Sequence, residues 1–184
     1  DGKAGFLFLN NYQRKRRMSR KELCISLKTT AGTVSFPTLS LQDGATAILP
    51  FGLSLDGVDL IWATAQPVGR IMADGTPEYL FVAPNGLLPQ FALSDAAVSQ
   101  LYNGRQTLEG RTCLLGVADP QRAMTVTLTG KQGPVRLRCL PYRAALSLAM
   151  LSAGQAVFFP DLVIDDGETV SLFSRAASAV VATA

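Results

Sequence analysis

The sequence predicts an all-β protein, an antiparallel β-sandwich with one short helix near residues 142–151. Three observations predict it. Short runs rich in leucine, valine, isoleucine and aromatic residues recur every roughly 8–12 residues. Asp-Gly steps and prolines punctuate those runs. Within several of them apolar and polar side chains alternate with the period of two that marks a half-buried strand.

The first run, Gly5-Phe6-Leu7-Phe8-Leu9, is apolar and stops at Asn10-Asn11. Leu23, Ile25 and Leu27 alternate with Glu22, Cys24, Ser26 and Lys28, pointing one face inward. Ala31-Gly32 turns the chain, and residues 33–36 return as the second arm of a hairpin. Pro37 keeps that arm from running on as a central strand. Residues 45–49 form a strand closed by Pro50, and 58–64 follow the Asp56-Gly57 turn. Residues 68–72 run into Asp74-Gly75 and 78–83 answer them, a hairpin signal. Residues 87–93, interrupted by Pro89, complete this half.

Between Ser94 and Gly104 the punctuation relaxes. That divides the chain into residues 1–95, a sandwich subdomain, and 96–184, a second packed β subdomain or a continuation of the same sandwich. Residues 111–117, 124–129 and 135–140 are further strands. In the second, Thr125, Thr127 and Thr129 oppose Met124, Val126 and Leu128; in the third, Arg136 and Arg138 alternate with Val135, Leu137 and Cys139. Both patterns suit an antiparallel sheet with one wet face. Residues 142–151 read as the helix, with Pro141 at its start, Gly154 beyond its end, and Leu146, Ala149 and Met150 as an apolar stripe. Residues 156–159, 162–164 and 169–173 return to strand, and 176–184 are a frayed end or a last edge strand.

Apolar residues make up 48% of the 184 and charged residues 17%, which excludes a disordered chain and leaves a surface lean in charge. The lean surface suggests that something else covers part of it. The net charge is +3, and Arg14, Lys15, Arg16, Arg17, Arg20 and Lys21 supply six of the seventeen basic residues. Elsewhere the signs nearly balance, so no nucleic-acid partner is expected. The basic run reads as a solvated loop, with an acidic partner surface as the alternative.

The three cysteines, Cys24, Cys113 and Cys139, form neither a disulfide framework nor a metal-ligand spacing. Cys24 and Cys139 lie in strand-like runs and read as buried free thiols, which favours a reducing, cytoplasmic setting. No apolar run reaches the roughly 18 residues that cross a bilayer, so no membrane partner is expected. The opening Asp1-Gly2-Lys3 has neither an initiator Met nor a signal pattern. It reads as a processed terminus or, preferably, as a piece of a longer chain.

Histidine is absent, which removes Ser-His-Asp and Cys-His catalysis in their usual forms. The four glutamates, Glu22, Glu78, Glu109 and Glu168, are scattered, and many aspartates sit in Asp-Gly turns. Asp165-Asp166 lacks the spaced partners a calcium loop needs. No glycine-rich phosphate motif occurs. The sequence therefore offers no catalytic, cofactor-binding or metal-ligating residue, and no cofactor is expected. Tyr12, Trp62, Tyr79, Tyr102 and Tyr142 are candidate sugar-stacking rings, although Trp62 and Tyr79 lie in apolar strands that suit a core role.

Three strings in order carry a resemblance: residues 5–14 (GFLFLNNYQR), 48–53 (ILPFGL) and 62–67 (WATAQP). They resemble the β-rich region that follows the catalytic barrel in bacterial β-galactosidases of glycoside hydrolase family 35. Leu49 stands where that family usually has Trp, and Gly52 where it usually has Asn. From about residue 95 the resemblance rests on strand order alone. It implies a parent enzyme that removes terminal β-galactose with retention, using two barrel glutamates that no stretch here matches. This chain would be a non-catalytic accessory domain packing against that barrel, with galactosides and a second copy in an oligomer as further partners. Candidate carbohydrate or domain-contact residues are Asn11, Tyr12, Arg14, Trp62 and Gln66. The alternatives are a carbohydrate-binding module and an interaction module using the basic loop 14–21.

Overall fold

A computed structural model describes residues 2–151, 154–158, 162–165, 169–173 and 182–183. Strands dominate. In chain order they begin with β1 (Gly5–Asn10), β2 (Lys21–Leu23), β3 (Ser26–Thr29), β4 (Gly32–Ser35), β5 (Leu39–Leu41), β6 (Thr46–Leu55) and β7 (Val58–Ala63). Next come β8 (Gln66–Ala73), β9 (Thr76–Val82), β10 (Gln90–Ser94), β11 (Ala97–Tyr102), β12 (Gly104–Glu109) and β13 (Thr112–Val117). Then follow β14 (Met124–Gly130), β15 (Gly133–Leu140), the helix α1 (Tyr142–Ala145), β16 (Leu148–Met150) and β17 (Ala156–Phe158). The last are β18 (Leu162–Asp165), β19 (Val170–Phe173) and β20 (Ala182–Thr183).

Two sheets make the sandwich. The first has the order β1-β6-β7-β10-β13-β12 and the second β11-β14-β15-β9-β8. Every pairing within them is antiparallel except β9 with β15, which is parallel. Leu60, Phe91, Leu93 and Leu115 from the first sheet meet Phe81, Val126, Leu128 and Leu137 from the second in one core. Phe81 and Phe91 pack edge to face across the layers, with ring centroids 5.1 Å apart. Each such fully buried side chain contributes roughly 1.5–3 kcal/mol relative to exposure, so this layer dominates the stability. Strands on both sides of residue 95 share both sheets and this core.

A second cluster forms on the other side of β1 and β6. Leu7, Leu9, Ala47 and Leu49 face Phe36, Leu39 and Leu41, which the small hairpins β2–β5 lay over the first sheet. A third cluster joins Ile71 and Leu80 on the second sheet to Leu148, Met150 and Ala156.

The Asp56-Gly57 and Asp74-Gly75 steps close two-residue hairpins with positive φ at both positions, as the turn chemistry requires. Pro50 does not close its strand. It sits inside β6 opposite Phe6, and pairing with β7 starts only at Phe51, so its missing N–H breaks no ladder bond. The helix is one turn instead of the expected ten residues. Residues 148–150 pair with β17 because their side chains find apolar partners on the second sheet, while Leu146 of the expected stripe is exposed. Cys24 is exposed, against the expected burial, because it falls in the break between β2 and β3; Cys113 and Cys139 are buried and all three are free. The Asp166-Gly167 step and most of the tail 176–184 lie outside the described residues.

Candidate functional site

The strings 5–14, 48–53 and 62–67 come together in space. β1 pairs with β6 over its whole length, with Phe8 opposite Ile48 and Phe6 opposite Pro50. The Ile48 backbone N–H donates to Gln66 Oε1 at 3.2 Å, tying the third string to the second. Because alternation turns Leu7, Leu9 and Leu49 toward the second cluster, Phe6, Phe8 and Ile48 face the opposite way. There they meet Pro67, Val68 and Tyr79 from the edge of the second sheet and line an open groove of about 490 Å³. Phe8 is 72% exposed and Phe6 47%. Solvent-facing phenylalanines side by side on one edge are unusual enough to need a purpose.

One end of the groove carries polar groups. Arg70 Nε donates to Asp56 Oδ2 at 2.8 Å, and that hydrogen bond raises the arginine's already high pKa. Burial against the core raises the Tyr79 phenol, and the Asp56 charge adds to the effect. Both groups therefore keep their neutral-pH protonation states.

The five candidate contact residues separate. Asn11 is buried, and its Nδ2 donates to the carbonyls of Ser19, Leu41 and Gln42 at 3.0, 3.1 and 2.9 Å. It anchors the loop that follows and offers nothing to solvent. Tyr12 and Arg14 are exposed on that loop, which an isolated bridge between Gln13 and Arg16 narrows. Arg14, Lys15, Arg16 and Arg17 make no ion pair among the described residues, whereas Arg20 pairs with Glu22 at 2.7 Å. Trp62 is half-buried against Phe36, with ring centroids 6.0 Å apart, and lines a different cleft of about 730 Å³. Gln66 alone of the five borders the apolar groove. The string around it is packed: Ala63 and Ala65 are fully buried, and Thr64 Oγ1 donates to the Leu88 carbonyl at 2.7 Å.

Among the described residues, carboxylates do not converge on these clefts in the way retaining hydrolysis requires. The cleft beside Trp62 holds one acid, Glu109, and the apolar groove none. A smaller hollow of about 240 Å³ holds Asp59 and Asp95. Each is engaged, Asp59 with Lys131 at 3.3 Å and Asp95 with Arg111 at 2.6 Å. The Arg111 hydrogen bonds hold the Asp95 carboxyl below its usual range, the wrong direction for a proton donor. Among the described residues no three His, Cys, Asp or Glu side chains group as metal ligands, and no helix is long and apolar enough to cross a membrane.

Reading the sequence missed a buried ionic cluster. Glu78 on β9 is fully buried and lies 3.1 Å from Arg136 Nη1 and 2.7 Å from Arg138 Nε, both on β15. The first contact is a hydrogen bond; the second is an ion pair whose N–H is not aimed at the oxygen. The alternation of Arg136 and Arg138 was visible in the sequence, but their shared carboxylate depends on the parallel pairing of β9 with β15. The exposed phenylalanines of β1 were likewise legible as apolar residues, though not as surface ones. No family model matches the chain, and no curated protein does.

Proposed function

We propose that this chain is a non-catalytic accessory domain of a β-galactosidase and docks on the enzyme's catalytic barrel through the apolar groove beside β1. The observation that carries the reading is the convergence of the three family-like strings on one edge, where Phe6, Phe8 and Ile48 stand exposed. A domain that packs against a neighbour in its own chain needs such a patch, and a free-standing domain is disfavoured by one. The cleft beside Trp62 holds Glu109 alone, and the two acids of the smaller hollow, Asp59 and Asp95, are already paired, which fits a supporting role.

The test has two arms. The reading frame upstream is expected to encode a barrel of roughly 250 residues, the usual size of that fold. In the full-length enzyme, Phe8→Asp is expected to lower the thermal midpoint of galactosidase activity, while the same change leaves the melting of the isolated domain nearly unmoved. Hydrolysis of a nitrophenyl β-galactoside by the isolated domain, persisting through repurification, overturns the proposal. So does an upstream frame without a barrel.

A further inference from the structure

The outer face of the second sheet presents more positive charge than it neutralises. Among the described residues Glu78 alone answers two guanidinium groups, and the Arg136 and Arg138 side chains remain 25% and 26% exposed. Two cations against one carboxylate leave one positive charge in excess. A partly desolvated excess charge is costly unless an anion shares it. The cross-strand register sets Thr125 and Tyr102 beside Arg138, and Thr127 and Gln100 beside Arg136. These six side chains border a hollow of about 350 Å³ whose lining, among the described residues, contains no acid. That volume lies at the small end of the range of about 300–1,000 Å³ for ligand sites, enough for a single small ligand.

We propose that this hollow binds the carboxylate of a sugar acid, a hexuronate, with the sugar ring laid along the threonines. Arg138 Nε is buried with no hydrogen-bond partner among the described residues, so this guanidinium, a planar donor fork suited to a carboxylate, is under-satisfied by Glu78. The hydroxyls of Thr125 and Thr127 and the Gln100 amide offer both donors and acceptors to sugar hydroxyls. Tyr102 is 58% exposed at the rim and is braced by Arg122, which lies 5.6 Å from its ring centroid and bonds its hydroxyl. Glu78 is a positioning residue: it fixes both arginines from beneath and does not touch the ligand. The site is independent of the galactosidase reading, since a neutral β-galactoside lacks the carboxylate.

Calorimetric titration of the protein with D-galacturonate, its methyl ester and acetate tests this. Galacturonate is expected to saturate, with the uncharged ester and acetate each weaker by about tenfold or more, about 1.4 kcal/mol. Arg136→Gln is expected to abolish binding; because it also strips Glu78 of a partner and endangers the fold, Thr127→Val and Gln100→Ala serve as gentler variants. Each of those is expected to weaken galacturonate several-fold with an unchanged melting temperature. The proposal is overturned if galacturonate fails to saturate, if the ester binds as tightly, if acetate alone matches the sugar acid, or if both gentler variants bind like the parent.

Discussion

Asn11 and Asn103 show how single side chains set corners in this protein. Each spends its amide on backbone carbonyls of the surrounding loop: Asn11 on Ser19, Leu41 and Gln42, Asn103 on Asp119, Arg122 and Ala123. Asn103 also accepts the Asp119 N–H, so both ends of its amide are used. Short amides do this at little cost because they tolerate the left-handed backbone that Asn103 adopts, with φ of 52°. The cysteines illustrate the opposite case, in which burial silences a group. Burial pushes the Cys139 thiol up to about 12 and raises Cys113 as well, while Cys24 lies exposed. Since the thiolate is the reactive form, a maleimide or disulfide reagent near pH 8 is expected to modify Cys24 alone in the folded protein. Counting labels by mass spectrometry checks this, and Cys113 and Cys139 should react only after denaturant is added.

At the scale of elements, backbone demands override side-chain signals in three places. Gly52 lies in β6 with φ of 66°, and a Cβ there would come within 2.2 Å of the Lys3 carbonyl. Left-handed φ alone would admit an Asn, but this close approach does not. Gly52→Ala is expected to destabilise the domain by about 1–3 kcal/mol, read as a lower urea midpoint with an unchanged slope. Pro50 passes through β6 because its nitrogen sits where no ladder bond is needed. The segment 142–151 carries helix punctuation at both ends, yet only four residues are helical. A single turn gains little by itself, and 148–150 gain more by laying Leu148 and Met150 on Ile71 and Leu80.

For the whole molecule, the decisive feature is that the chain crosses between layers repeatedly. β10 ends at Ser94 in the first sheet, β11 pairs with β14 in the second, and β12 returns to the first. The crossings at Asp95 and Asn103 carry left-handed residues in place of the glycines and prolines that mark a turn in sequence, so the region read as unpunctuated. Asp95 is further pinned by two hydrogen bonds from Arg111, each 2.6 Å. Because β9 needs β15 and β10 needs β13, residues 1–95 expressed alone are expected to lack a cooperative unfolding transition by circular dichroism, whereas 1–184 shows one. A cooperative 1–95 fragment would show that the first half carries its own core. The sequence by itself determined the all-β class, the Asp-Gly hairpins and the inward faces of β14 and β15, since alternation and turn chemistry are local properties of neighbouring residues. Only the tertiary structure decided which strands share a sheet, that Glu78 lies beneath two arginines, and that Phe6 and Phe8 stand in solvent. Those outcomes depend on which distant strand lies alongside, and a chain's local pattern specifies a face without specifying what covers it.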